Sequence, residues 1–178
     1  MKHSLILFLI LASLSLQSQN EKPRLFYKIS AAATLTLNED WTISNEESIP
    51  LIGTNGHFVN ATVGYQLSSR TSIGLNFQYD YFLEQDLNFF PVHFTFRYNL
   101  FDFDDKFYVR AGYGIFAEVA KDFETGSMYR AGVGFQIFMD EDYEKSMLFG
   151  LDFSRRRFGF RESEKLSSLA ISLEFQLF

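Results

Sequence analysis

The sequence predicts an all-β fold, an eight-stranded antiparallel up-and-down transmembrane β-barrel. Three observations carry that reading. From Arg24 onward apolar residues recur at every second position, the period of a strand whose successive side chains point to opposite faces. The Lys, Arg, Asp and Glu within the alternating segments all fall on the opposite parity. Glycine sides with the charges: Gly64, Gly74, Gly112, Gly114, Gly132, Gly134 and Gly150 share the polar parity, where small residues relieve crowding inside a narrow barrel.

The first strand, RLFYKISAAATLTL, sets Leu25, Tyr27, Ile29, Ala31, Ala33, Leu35 and Leu37 on one face. The second carries Val59, Ala61, Val63, Tyr65 and Leu67, and the third Ile73, Leu75, Phe77, Tyr79 and Tyr81. The fourth is on even parity, from Phe90 and Val92 to Tyr98 and Leu100. The fifth runs from Phe107 to Ala117, the sixth from Tyr129 to Met139, the seventh from Met147 to Phe153, and the last from Leu169 to Leu177. A charge facing lipid at mid-bilayer costs about 2–4 kcal/mol, so a membrane barrel must keep its apolar stripe free of charge. A soluble barrel would alternate too, but its solvated face would carry Thr, Lys and Glu where this chain has glycine. The apolar face is therefore read as outward.

Composition agrees. The 178 residues include 22 Phe and 9 Tyr but only 3 Pro, and 47% are hydrophobic, yet no apolar run beyond the N-terminus is long enough for a spanning helix. A formal net charge of -6 gives no electrostatic reason to bind nucleic acid. The absence of Cys excludes disulfides, thiolate metal sites and a lipoprotein anchor. His and carboxylates show no metal-ligand spacing, and no cofactor is expected.

Residues 1–18 read as a secretory signal peptide: Lys2 precedes the apolar Leu5–Leu16 and a polar exit, with cleavage near Ser18/Gln19. Residues 19–178 then form one barrel domain, about 20 residues for each strand and connection. Gln66–Thr71, Phe101–Lys106 and Asp140–Lys145 are short connections, whereas Asn38–His57, Ala120–Ser127 and Arg155–Lys165 are longer; Phe82–Leu87 is short for its side. Short turns belong to the periplasm and long loops to the exterior, which places the chain in the outer membrane with both termini periplasmic.

With these features the chain resembles the small outer-membrane β-barrel family, the OmpA transmembrane-domain and OmpX type. The resemblance rests on the export signal, the eight alternating strands, the paired Arg110-Ala111-Gly112-Tyr113-Gly114 and Arg130-Ala131-Gly132-Val133-Gly134 motifs, and the terminal Leu173-Glu174-Phe175-Gln176-Leu177-Phe178. It implies that a C-terminal aromatic strand is read by the barrel-assembly machinery, with Phe175, Leu177 and Phe178 as the candidate signal. Phe178 departs from the family pattern, being out of phase with Phe175 and Leu177.

The polar-parity charges Lys28, Asp80, Arg97, Arg110, Glu118, Arg130, Asp152 and Glu174 are expected to form an ion-paired lumen, because buried charge persists only when paired. Glu118 and Arg130 should meet across the third outer loop, and Lys28 and Glu174 where the first and last strands close. Arg156 lies near the outer end of the seventh strand. The same network could instead line a narrow or gated pore, and Arg97 with Arg110 could form an anion site. Arg155, Arg157, Arg161 and Lys165 make the fourth loop basic, suited to lipopolysaccharide phosphates. Loop 38–57, with Trp41, Ile43, Ile49, Leu51 and Ile52, either packs across the barrel mouth or binds a partner protein. An outer-membrane lipid deacylase would want a serine near His57, but Val59 stands there; His93 is expected in the lumen as a hydrogen-bonded residue. A structural or surface-interaction role, without catalysis, is the expected function.

Overall fold

A computed structural model describes residues 23–37, 52–101 and 105–178. The proposed signal peptide and most of loop 38–57 lie outside the described residues. The nine strands found among the described residues are β1 (Arg24–Leu37), β2 (Ile52–Gln66), β3 (Thr71–Phe82), β4 (Leu87–Phe89), β5 (Pro91–Asn99), β6 (Lys106–Phe116), β7 (Gly126–Phe138), β8 (Lys145–Phe158) and β9 (Glu164–Leu177). The sheet is antiparallel throughout, and β1 pairs with β9 as well as with β2, so it closes on itself.

β4 and β5 are two parts of one barrel strand. Asp80 faces Phe89 before the break and Phe77 faces Val92 after it, so the register does not change. The ladder lapses there because Pro91 has no N–H to donate. Counted this way, the molecule is a closed eight-stranded antiparallel barrel, as the alternation predicts.

The strands run further than the sequence pattern indicates. β8 and β9 extend to Phe158 and from Glu164, so the connection expected over 155–165 is only the five-residue turn Gly159–Ser163. Arg155 and Arg157 are consequently strand residues, as is Lys165. β2 likewise begins at Ile52, inside the segment expected to be a loop, with a bulge opposite Thr34 and Leu35. The Leu67–Arg70, 100–105 and Met139–Glu144 connections define the turn end of the barrel; the opposite end is the loop end.

Candidate functional site

The alternation sorts side chains cleanly. Ile29, Val59, Phe94, Tyr113, Ile115, Phe149 and Ile171 are among the exposed large apolar residues on the outward face. Inward lie Arg110, Arg130, Asp152, Arg156, Glu174 and a set of buried amides and hydroxyls. On β8 the outward apolar band is bounded by Lys145 and Arg155. At about 3.4 Å per residue and a tilt of about 40°, that band is about 26 Å tall, close to the lipid-facing band of a membrane barrel.

Seven of the buried lumen charges, bridged at one point by Gln78, form one unbroken chain. Lys28 Nζ lies 2.5 Å from Glu174 Oε2. Glu174 also receives Arg110 Nη1, while Arg110 Nε and Nη2 grip Asp152 at 2.7 and 2.5 Å. Asp152 Oδ2 accepts a further bond from Arg130 Nη2 at 2.7 Å, and Arg130 Nη1 donates to Gln78 Oε1 at 3.1 Å. Gln78 donates to Asp80, which is held by Arg156 through Nε at 3.0 Å and Nη2 at 2.6 Å. Arg156 Nη1 ends the chain on Ser154 and Ser168, both at 2.9 Å. Bidentate contacts of this kind give the geometry that offsets the desolvation of buried charge.

Sequence reasoning places Glu118 wrongly. Glu118 lies beyond the end of β6 and is exposed, so it neither enters the lumen nor meets Arg130, whose carboxylate partner is Asp152. Arg156, expected near the outer end of the seventh strand, lies there and is one of the most deeply buried side chains of the lumen. Arg97 stands opposite Arg110 and donates to Gln176 and Gln66 at 3.3 and 3.4 Å. The Tyr108 ring takes both guanidiniums, at 5.5 Å for Arg97 and 5.6 Å for Arg110. The other side of the lumen is neutral, with Asn76 joining Thr62 at 2.7 Å to Thr95 at 2.8 Å. His93 is buried there, but neither ring nitrogen has a hydrogen-bond partner among the described residues.

Inward glycines are each covered by a lumen side chain. A Cβ on Gly132 would collide with Asp152 Oδ1, one on Gly64 with the Phe26 ring, and one on Gly114 with His93 Cβ. Gly134 and Gly150 lie beneath Tyr108 and Arg110. The space a narrow barrel leaves at its axis is filled from the strands opposite.

The loop end holds a feature missed in the sequence. Phe82, Phe89, Phe116, Met128, Phe158 and Leu166 form a buried apolar cluster inside the barrel. Phe89 is its centre, with ring centroids 5.9 Å from Phe82, 4.9 Å from Phe116 and 5.1 Å from Phe158. Arg156 lies 4.8 Å from the Phe82 ring, linking this plug to the charge network. The signal was present: Phe82, Phe116 and Phe158 sit on the parity of the charges, not on the apolar stripe.

At the turn end Phe178 is also on the inward side, which accounts for its phase. Its ring packs edge-on against Phe26 at 5.9 Å, and Arg24 stacks over it at 3.8 Å. Arg24 Nη2 donates to the Tyr143 carbonyl at 2.6 Å, and the Phe178 amide to the Glu144 carbonyl at 2.9 Å. Phe175 and Leu177 face outward.

Arg155 and Arg157 on β8 face outward at the loop end, where Arg157 stands directly opposite Lys165 on β9. Arg161 lies in the turn, its guanidinium 5.3 Å from the ring of the exposed Phe160. Glycine at 159 serves a φ of 73° there, and Arg161 and Glu162 follow at 55° and 53°. His57 faces outward between Ala33 and Tyr81, 5.7 Å ring to ring from the latter.

A closed eight-stranded barrel with an apolar exterior and a filled polar axis is the class this geometry defines. Among solved structures the chain is similar to Neisserial surface protein A (NspA), with a TM-score of 0.64 and 12% identity over 88% of this chain and 99% of that one. At that identity the likeness is one of fold. No protein-family model matches the sequence, and no curated protein matches it significantly.

Proposed function

We propose that this chain is an integral outer-membrane β-barrel with a structural or surface-interaction role and no catalytic activity, related to the OmpA transmembrane-domain and OmpX-like barrels. The observation that carries the reading is the uninterrupted apolar band between Lys145 and Arg155, of bilayer height and exposed around a closed sheet. In this reading residues 1–18 are the export signal and both termini are periplasmic. The barrel-assembly machinery reads the last strand through Phe175, Leu177 and Phe178. Loop 38–57 is the surface for a protein partner, and Arg155, Arg157, Arg161 and Lys165 contact lipopolysaccharide phosphates at the outer rim.

A closed lumen is supported by the ion-pair chain, the covered glycines and the phenylalanine plug. A non-catalytic role is supported by the outward neighbours of His57, which are Ala33, Val59 and Tyr81 rather than serine. Reconstituted in planar bilayers, the parent protein is expected to give no conductance steps above the bare membrane; regular steps would replace the closed barrel with a pore.

The membrane reading is tested by Leu151→Arg, in the middle of the outward band. In vesicles it should cost about 2–4 kcal/mol of folding free energy by urea titration, with loss of the heat-modifiable band on gels. A Leu151→Arg variant as stable as the parent would remove the bilayer from the account.

A further inference from the structure

The outward apolar belt is not uniform. Ala33, Ala31 and Ala61 descend obliquely over β1 and β2, leaving a groove of two adjoining hollows, about 550 and 490 Å³, that share Ala31, Val59 and Leu173. Leu173 of β9 walls one side and Phe77 and Tyr79 of β3 the other. Following the paired rows of β8, β9 and β1 toward the loop end leads from this groove to charge. Phe149, Leu173 and Ala31 share a row; three rows further lie Arg155, Ser167 and Leu37, and beyond them Arg157 and Lys165.

That rim asks for an anion. Arg157 and Lys165 are directly opposite, an arrangement that repels. Among the described residues neither has a carboxylate within ion-pair distance. The depth is also telling. Ser167 to Leu173 is six residues, about 20 Å along the strand and about 15 Å in height at barrel tilt, the thickness of one hydrocarbon leaflet. A chain anchored at the rim therefore ends in the groove.

We infer that the groove between β9 and β3 seats one acyl chain of a phosphorylated outer-leaflet glycolipid whose phosphate lies on Arg155, Arg157 and Lys165; this rests on the rim reading given above. A slender chain fits where a second copy does not, because an isologous contact would set groove against groove and leave both hollow.

The test is native mass spectrometry of the full refolded barrel after exposure to hexa-acylated diphosphoryl lipid A or its dephosphorylated form. Ala31→Phe/Ala61→Phe fills the groove on a face already rich in aromatics, with Ala31→Leu as the milder change. Arg155→Gln/Arg157→Gln/Lys165→Gln removes the rim charge. Heat-modifiability on gels verifies each fold. The parent should retain diphosphoryl lipid A, and both sets of variants should retain about tenfold less, the equivalent of losing contact with two methylenes. Loss only in the rim variant overturns the groove and leaves the rim reading standing. Undiminished retention by both overturns the rim reading together with this inference, as does equal retention of the dephosphorylated form. Unchanged lipid with a dimer becoming monomer in the groove variant would assign the groove to a second copy.

Discussion

Asp152→Asn is expected to destabilise the barrel by about 3–5 kcal/mol, the cost of leaving buried charge without its partner. The substitution preserves shape but takes the carboxylate that Arg110 and Arg130 share. Arg110 then competes with Lys28 for Glu174, and Arg130 keeps only the neutral Gln78. Urea titration of the refolded protein measures the loss. Asp86→Asn, which alters an exposed hydrogen bond to Tyr81, is the control and should change stability by less than about 1 kcal/mol. If the two variants behave alike, the lumen charges are not a cooperative network.

Phe89→Ala should be comparably damaging, at about 3–5 kcal/mol, because it removes the ring on which the loop-end plug is centred. Strands either side cannot move in to close the gap without breaking ladder hydrogen bonds, so the cavity term is retained. Phe160→Ala is the matched comparison: that ring is 80% exposed, and its loss should stay within about 0.5 kcal/mol. Equal effects would show that the phenylalanine cluster seals nothing. With the plug opened, amide exchange in the β3 and β8 segments beside Asp80 and Arg156 should accelerate.

Face was legible in the sequence far more than height. Parity alone separates Lys28, Arg110 and Glu174 from Tyr27, Ala111 and Phe175, since one residue of register turns a side chain from one face to the other. Which lumen groups meet depends on how far each strand slides past the next, and the alternation is silent on that. Glu118 shows the difference: its parity is inward, but it lies past the end of β6. Arg156 shows the converse: its parity is inward and β8 continues through it, so it is carried into the lumen. The plug is not evident from composition, which makes no distinction between outward and inward phenylalanines; parity does, and at Phe82, Phe116 and Phe158 it says inward. Phe178 follows the same rule; its phase placed it below the lumen with Phe26.

The closure of β1 on β9 has a bearing on how such a chain comes to exist at all. These are the first and the last of the barrel's strands to be made, and until they meet, each presents a full edge of unpaired N–H and C=O groups. Lys28 and Glu174, and Arg24 with Phe178, are joined only at that moment. Removing β9 restores the open edge and strands the Arg110 side chain without Glu174. The β1–β9 seam is thus the keystone: the sheet has no edge only once those two strands have paired.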